Sequence, residues 1–341
     1  MRAVLERLCR REDLSMDEAR EVFEQIVQGQ HSAPAIAGLL IALEMKGASL
    51  DEITGAATAL RAAAAPFARP DGLVADCAGT GGDGAHTFNI STAAGLVAAA
   101  AGVRVAKHGN RAVSSRSGSA DVLERLGVEI AGDPDAAALQ LETHGFCYLH
   151  APDYHPGLRH AGPARKALGV RTLMNVLGPL VNPARPSVQL LGVFDPTFLR
   201  PAALVLDRLG CERALVVHGG GMDEIALHAP TQAVLLDRGQ VEALEIRPEQ
   251  LGASPAAPSE LAGGEPSTNA ELVRRVLSGA DSPAHRDVVA LNAGALLWLA
   301  EAAPDLTSGA RRAREVLAAG SALELLQRLG PRVAAAEVSR A

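Results

Sequence analysis

A chain of 341 residues has room for one large hydrophobic core and a smaller one. Its formal net charge of −7 argues against general binding to nucleic acid or anionic membrane surfaces. With 48% apolar and 21% charged residues the composition is that of a globular protein, and four scattered cysteines exclude both a disulfide scaffold and a paired-cysteine zinc site.

Aromatic residues are only 3% of the chain, so the core must be built from Ala, Leu and Val. Met1 to Asp13 alternates charges of both signs and lacks the apolar centre of a signal peptide, and no window is long enough to span a membrane. The expectation is a cytoplasmic protein with reduced thiols at Cys9, Cys77, Cys147 and Cys211.

Residues 1 to about 66 read as helices throughout. Ser15 with Glu18 forms a capping box, followed by Ala19, Val22, Phe23, Ile26 and Val27 at helical spacing, with Gly29 as the stop. Ser32 and Pro34 open a second helix that runs to about Gly47, and Ser49 with Glu52 opens a third. The run Ile36 to Leu43 is apolar nearly all round, which suits either a buried helix or a subunit contact. Two prolines between Pro66 and Gly72 mark a domain boundary.

From residue 73 onward short apolar runs alternate with helical stretches, which predicts an α/β domain (73–341) with a central, mostly parallel sheet flanked by helices. Strands are expected at 73–75, 103–106, 128–130, 146–149, 189–193, 214–217, 225–227, 233–236 and 241–246. Helices are expected at 92–101, 119–126, 134–143, 196–209, 270–278, 284–301 and 308–329. The Pro-, Ala- and Gly-rich stretch 248–268 reads as a surface connection.

The most informative stretch is Asp76 to Glu124. Gly79, Gly81 and Gly82 follow a strand, and without Cβ atoms they can lay backbone N–H groups against an anion. Asn89 or Ser91 can cap the next helix, whose N-terminus also favours an anion. Lys107, Arg111 and Arg116 follow the second strand and supply positive charge. Asp83 would repel a phosphate and is better suited to ribose hydroxyls or a metal. Together these residues point to a phosphorylated sugar, bound where an open α/β sheet places its ligands. Gly79 to Gly84 also matches a dinucleotide fingerprint, but four residues intervene before the helix and the second strand ends in Lys107-His108 rather than an acid. A phosphate-binding P-loop is excluded because no Gly-Lys-Ser/Thr closes the glycine run.

The strings Gly79-Thr80-Gly81-Gly82-Asp83, Asn89-Ile90-Ser91-Thr92 and Lys107-His108-Gly109-Asn110-Arg111-Ala112-Val113-Ser114-Ser115 closely resemble those of the anthranilate phosphoribosyltransferase family of tryptophan biosynthesis. The resemblance covers nearly the whole chain, as far as Leu291-Asn292-Ala293-Gly294. It implies a reaction in which anthranilate attacks 5-phosphoribosyl 1-diphosphate to give N-(5-phosphoribosyl)anthranilate and diphosphate. It further implies that Gly79, Gly82, Asp83, Thr87, Asn89 to Thr92, Lys107 to Ser115 and Ser119 hold the phosphoribosyl donor. Gly79 and Asn110 then lie where the two substrates meet.

By the same resemblance Arg165, in Gly162-Pro163-Ala164-Arg165-Lys166, binds the anthranilate carboxylate, a role that suits a planar guanidinium. Asp223 and Glu224 follow a glycine turn, a placement suited to Mg²⁺. The resemblance assigns them to that ion, with Ser91 serving a second Mg²⁺. It also implies a homodimer formed through the helical domain of residues 1–66, joined by helices from about 163 to 182. His155, His160 and His218 are expected to be structural. His150 stands where relatives carry an apolar aromatic, which alters packing near the aromatic substrate. The alternatives are a pyrimidine nucleoside phosphorylase of the same architecture and a non-catalytic nucleic-acid-binding relative.

Overall fold

The computed structural model describes residues 1–112, 116–130 and 132–330. The chain begins with helices Arg2–Cys9, Met16–Val27, Ala33–Lys46 and Leu50–Ala62. Ser15 and Ser49 each close a reciprocal capping box with Glu18 and Glu52. Glu52 is fully buried and also accepts from the Leu14 N–H at 3.0 Å and from Lys46 Nζ at 2.8 Å, so one carboxylate ties a helix start to two neighbouring segments. Ser32 stands at the start of its helix without a side-chain cap, and Pro34 sits in the first turn.

Seven strands among the described residues form one sheet: β1 (Ala75–Gly79), β2 (Val105–Gly109), β3 (Phe146–His150), β4 (Val188–Gly192), β5 (Arg213–Gly219), β6 (Thr231–Asp237) and β7 (Gln240–Ile246). Their order is β3-β2-β1-β4-β5-β6-β7; the first five are parallel, and β6 and β7 complete the edge as an antiparallel hairpin. The chain runs outward from β1 through β2 and β3, then returns to β4 on the other side. The crevice beyond the carboxyl ends of β1 and β4 is therefore the topological switch point.

Two large apolar clusters flank the sheet. One gathers β1, β2 and the helices Ile90–Ala100, Pro266–Leu277, Pro283–Leu299, Leu306–Ala318 and Ser321–Leu329. The other joins the N-terminal helices to Ala161, Ala164, Leu173, Met174, Val176, Leu177 and Leu180, so helices Gly162–Leu168 and Leu173–Leu180 pack into the helical bundle.

Several expectations are corrected. The segment 128–130 is not a strand: Val128 and Glu129 donate to Leu123 and Leu329, which leaves no ladder to join. The run 225–227 is buried but irregular, because side chains satisfy its backbone: Asn292 bonds both the N–H and the carbonyl of Ile225, and Thr231 Oγ1 accepts from Ala226. The expected helix 308–329 is two helices, broken at Gly320, where φ is 72°. Residues 196–198 form a 3₁₀ turn before helix Leu199–Arg208. The stretch 248–268 is more than a surface connection: Leu261 is fully buried, Thr87 pairs with Ala262, and the Phe88 N–H donates to the Leu261 carbonyl at 3.1 Å. All four cysteines are free, Cys9 exposed and the others buried. Among the described residues no helix is long and apolar enough to cross a membrane.

Candidate active site

Strand β1 extends four residues beyond the expected 73–75, so Asp76 is a buried strand residue and Gly79 is the last in the sheet. Asp76 accepts from the Cys77 N–H (2.8 Å), the His108 N–H (3.3 Å) and Asn182 Nδ2 (2.9 Å), and the same Asn182 nitrogen donates to the Ala106 carbonyl (2.8 Å). This buried knot clamps β1 to β2 directly beneath the glycine loop. Gly81 and Gly82 follow with φ of 66° and 74°, a backbone that glycine adopts without strain. Thr80 anchors the loop to β4: its N–H donates to the Gly192 carbonyl (2.9 Å), and its Oγ1 accepts from Phe194 N–H (3.0 Å).

Asp223 enters this loop from the turn after β5. Its Oδ2 accepts from the Gly81 N–H at 2.8 Å, and its own N–H donates to Asp83 Oδ2 at 3.3 Å. A Cβ on Gly79 would overlap Asp223 Oδ2, and one on Gly192 would overlap the Asp223 carbonyl. Glu224, buried beside it, accepts from the Ser91 N–H at 3.0 Å. Lys107 Nζ donates to the Cys77 carbonyl and to Ser91 Oγ, the latter at 3.3 Å. Contrary to the expectation that it follows the second strand, Lys107 lies inside β2 and is 2% exposed. Its ammonium is a fixed charge at the base of the site.

Asp83, Asp223, Glu224, Ser91 and Lys107 are thus one connected group. Burial, and then the charge of Asp83, pushes the Asp223 carboxyl up to about 7; burial and the charge of Asp223 hold Glu224 well above its ordinary value. Three carboxylates against one ammonium leave two uncompensated negative charges when all are ionised. That is a donor set for a hard divalent cation. Among the described residues no group of three or more His, Cys, Asp or Glu side chains is placed to hold a metal ion by itself. A site that offers a few carboxylates and leaves remaining positions to water and phosphate oxygens fits Mg²⁺.

The other expected residues divide into groups. Asn89 caps helix Ile90–Ala100 by position but makes no capping bond; Ile90 and Thr92 are buried, and the Thr92 hydroxyl has no partner among the described residues. Thr87 lies in the bridge to Ala262. His108 is inside β2, its Nδ1 paired with the Gly178 carbonyl at 3.2 Å and its ring edge-on to His155; burial lowers its pKa to about 3, so it is neutral. Gly109 ends β2 and Asn110 opens the loop after it, the Asn110 carbonyl accepting from Ser119 Oγ at 3.4 Å. Arg111 turns outward to Asp121 (3.2 Å) and Glu124 (2.5 Å), so its charge is already paired. Ala112 donates its N–H to Asp121 (2.9 Å). Val113, Ser114 and Ser115 lie outside the described residues.

Arg165 is partly buried on helix Gly162–Leu168. Its side chain has no hydrogen-bond or ion-pair partner among the described residues, and burial lowers its pKa. A desolvated guanidinium without a carboxylate is poised for an anionic ligand. Six residues on, Arg171 stacks over Phe194 at 4.5 Å and donates to the Gly82 carbonyl, which brings the Arg165 segment against the glycine loop. His218 and His155 are structural, each bonded to a backbone carbonyl: Val193 at 2.9 Å and Val181 at 3.0 Å. His150 pairs with Asp153 at 3.0 Å.

Sequence reasoning missed three polar supports, Asn182, Asn269 and Asn292, all buried. For Asn182 and Asn292 a signal was available, because an asparagine in an apolar run must spend its amide on something; Asn269 follows Ser267 and Thr268 and carried no such signal.

The glycine loop faces a carboxylate cluster at the switch point, with a small helical bundle beside it, and both units match domains of a glycosyl transferase family. Residues 71–323 match the glycosyl transferase family a/b domain, and residues 2–64 match the helical bundle domain of the same family. The anthranilate phosphoribosyltransferase of Sorangium cellulosum is 51% identical over 96% of this chain and 94% of its own length. That of Colwellia psychrerythraea is 48% identical over 92% and 87%. The crystal structure of the Thermus thermophilus anthranilate phosphoribosyltransferase superposes with a TM-score of 0.91 at 45% identity, covering 96% of this chain and 98% of the other. The Saccharomyces cerevisiae enzyme in complex with PRPP and Mg has a TM-score of 0.87 at 26% identity, covering 96% of each chain. The chain belongs to the anthranilate phosphoribosyltransferase family.

Proposed function

We propose that the chain transfers phosphoribose from 5-phosphoribosyl 1-diphosphate to the amino group of anthranilate, in tryptophan biosynthesis. The observation that carries this reading is the joining of Asp223 and Glu224 to the glycine loop and Ser91, which makes one anion-and-cation site from two stretches far apart in the chain.

In this reading Gly79, Gly82, Asp83, Thr87, Asn89 to Thr92, Lys107 to Ser115 and Ser119 enclose the donor. Ile90 takes part through its backbone, since its side chain is in the core. The Lys107 ammonium, held by Cys77 and Ser91, faces the diphosphate as a fixed counter-charge. Asp223 and Glu224 would hold one Mg²⁺ and Ser91 a second. When bound, Mg²⁺ neutralises charge on the departing diphosphate. Arg165 anchors the anthranilate carboxylate, and Gly79 with Asn110 borders the point where the two substrates meet. An aromatic amine is neutral near pH 7 and needs no strong base. The chain's contribution is to orient it against C1 of the ribose and to fix charge around the leaving group.

An open groove between helices Arg2–Cys9 and Ala33–Lys46, lined by Met1, Leu5, Cys9 and Ala35 together with Arg2, Glu6 and Arg10, and Met45, 74% exposed on the second of these helices, support a homodimer through the helical bundle. The absence of a membrane-crossing helix among the described residues accords with a cytoplasmic enzyme. The test is loss of anthranilate fluorescence on adding donor and Mg²⁺. No loss, together with phosphate-dependent cleavage of thymidine, would replace this reading with a nucleoside phosphorylase.

A further inference from the structure

Asn269 lies in the first turn of helix Pro266–Leu277 and is 2% exposed. Its Oδ1 accepts from the Gly264 backbone N–H at 2.7 Å, and its Nδ2 donates to Asn89 Oδ1 at 3.0 Å. A backbone N–H can only donate, so Gly264 dictates which end of the Asn269 amide is oxygen. The amino end of Asn269 is then left for Asn89, which must meet it with oxygen. Polarity is thereby handed along two side chains. Asn89 is left with its own amino group pointing the other way, 3.5 Å from the Ser117 carbonyl, two residues before helix Ser119–Arg125 begins.

The origin of this relay is itself held rigidly. The Gly263 N–H donates to the His86 carbonyl at 2.8 Å and the Phe88 N–H to Leu261 at 3.1 Å, so 261–264 is bonded along the residues that lead into Asn89. A Cβ on Gly263 would stand 2.7 Å from the Phe88 nitrogen, which shows how close the two segments run. With its oxygen taken, Asn89 makes no capping bond to helix Ile90–Ala100. The second residue of that helix, Ser91, gives its N–H to Glu224 instead.

We infer that Asn269 is a positioning residue for the phosphoribosyl donor: it locks the Asn89 amide so that hydrogen-bond donors, rather than a carbonyl oxygen, face an anionic ligand. The inference rests on the reading of Asn89 as a donor-binding residue. An amide turned the wrong way would present oxygen to oxygen, and the lost charge-assisted bond corresponds to about tenfold or more in affinity.

The experiment is steady-state kinetics on the full-length chain. Asn269→Asp can still accept from Gly264 but cannot donate to Asn89, so the Asn89 amide reverses. The expected result is a rise of about tenfold in KM for 5-phosphoribosyl 1-diphosphate. KM for anthranilate and kcat should stay within about threefold, a split that general structural damage would not give. Asn269→Leu, which merely frees the amide, should give a smaller rise and covers the case in which the aspartate variant fails to fold. In an Asn89→Ala background, adding Asn269→Asp should change the donor KM by less than about twofold, because the group it orients is gone. A full-sized effect in that background would mean simple charge repulsion and overturn the inference, as would unchanged donor KM in Asn269→Asp. If Asn89→Ala itself leaves the donor KM unchanged, it is the reading of Asn89 that falls.

Discussion

The carboxylate of Asp223 occupies the space that a side chain on Gly79 would need: a Cβ there would overlap Asp223 Oδ2. Gly79 ends β1, Asp223 lies in the turn after β5, and the two meet only because one has no side chain. Gly79→Ala should therefore displace Asp223, break its bond with the Gly81 N–H, and cut kcat/KM by about 100-fold or more, since positioning errors near 1 Å cost on that scale. The Mg²⁺ concentration needed for half activity should rise in parallel. A variant with unchanged Mg²⁺ dependence would show that the turn after β5 adapts without loss.

Arg165 supplies the acceptor-side test. Its guanidinium has been desolvated without gaining a partner among the described residues, a cost that an anion repays. Arg165→Lys keeps the charge but loses the fork of parallel donors, and should raise KM for anthranilate about tenfold while leaving the donor KM within about twofold. Arg165→Ala should go further in the same direction. Equal changes for both substrates would remove Arg165 from the acceptor site.

The carboxylate pair makes a pH prediction. The Asp223 carboxyl is pushed up to about 7 in the folded chain, against an ordinary value of 3.8, so the metal-free folded state holds more protons than the unfolded state between the two. Stability from this source is fully present below the ordinary value and is lost as pH rises through about 7. Asp223→Asn should accordingly flatten the fall in melting temperature of metal-free protein between about pH 5 and pH 8. Mg²⁺ must displace the proton, so its apparent affinity should climb with pH and level off above about 7, with proton release visible by calorimetry in buffers of different ionisation enthalpy. Affinity independent of pH would separate Asp223 from the metal.

A fourth prediction concerns the joint between the helical bundle and the sheet. Arg61 is buried, and burial lowers its pKa to about 10. It donates to the Leu180 carbonyl at 2.8 Å and the Leu209 carbonyl at 2.9 Å, the ends of two helices whose dipoles replace a carboxylate partner. Arg61→Met leaves both carbonyls unpaired and should cost about 2–4 kcal/mol in urea unfolding. A loss below about 0.5 kcal/mol would mean that water reaches both helix ends.

How much of this was legible in the sequence depended on whether a residue's neighbours in the chain are also its neighbours in space. The capping boxes at Ser15 and Ser49 and the glycine stop at Gly29 are local, and they hold in the fold. The parallel sheet followed from alternation, but its boundaries shifted toward polar residues: Asp76 and Lys107 sit within strands because Asn182, Cys77 and Ser91 supply partners the sequence does not display. Conversely, 225–227 looked like a strand, and its backbone instead spends its bonds on Asn292 and Thr231. Glycine loop and acidic turn were each visible, whereas their junction, 142 residues apart in the chain, was not. The same holds for Asn269, hidden beside a stretch whose composition suggests only a surface connection.

The pairing of Asn269 with Asn89 spans 180 residues, and that of Asn292 with Ile225 spans 67. A nascent chain paused on the ribosome before residue 269 has already made its glycine loop, Lys107 and Asp223, yet the parts that aim Asn89 and brace the acidic turn are still to be synthesised. Competence to grip substrate therefore arrives late in translation, when the C-terminal helices dock, and a prematurely terminated product would compete poorly with the finished enzyme for a scarce sugar diphosphate.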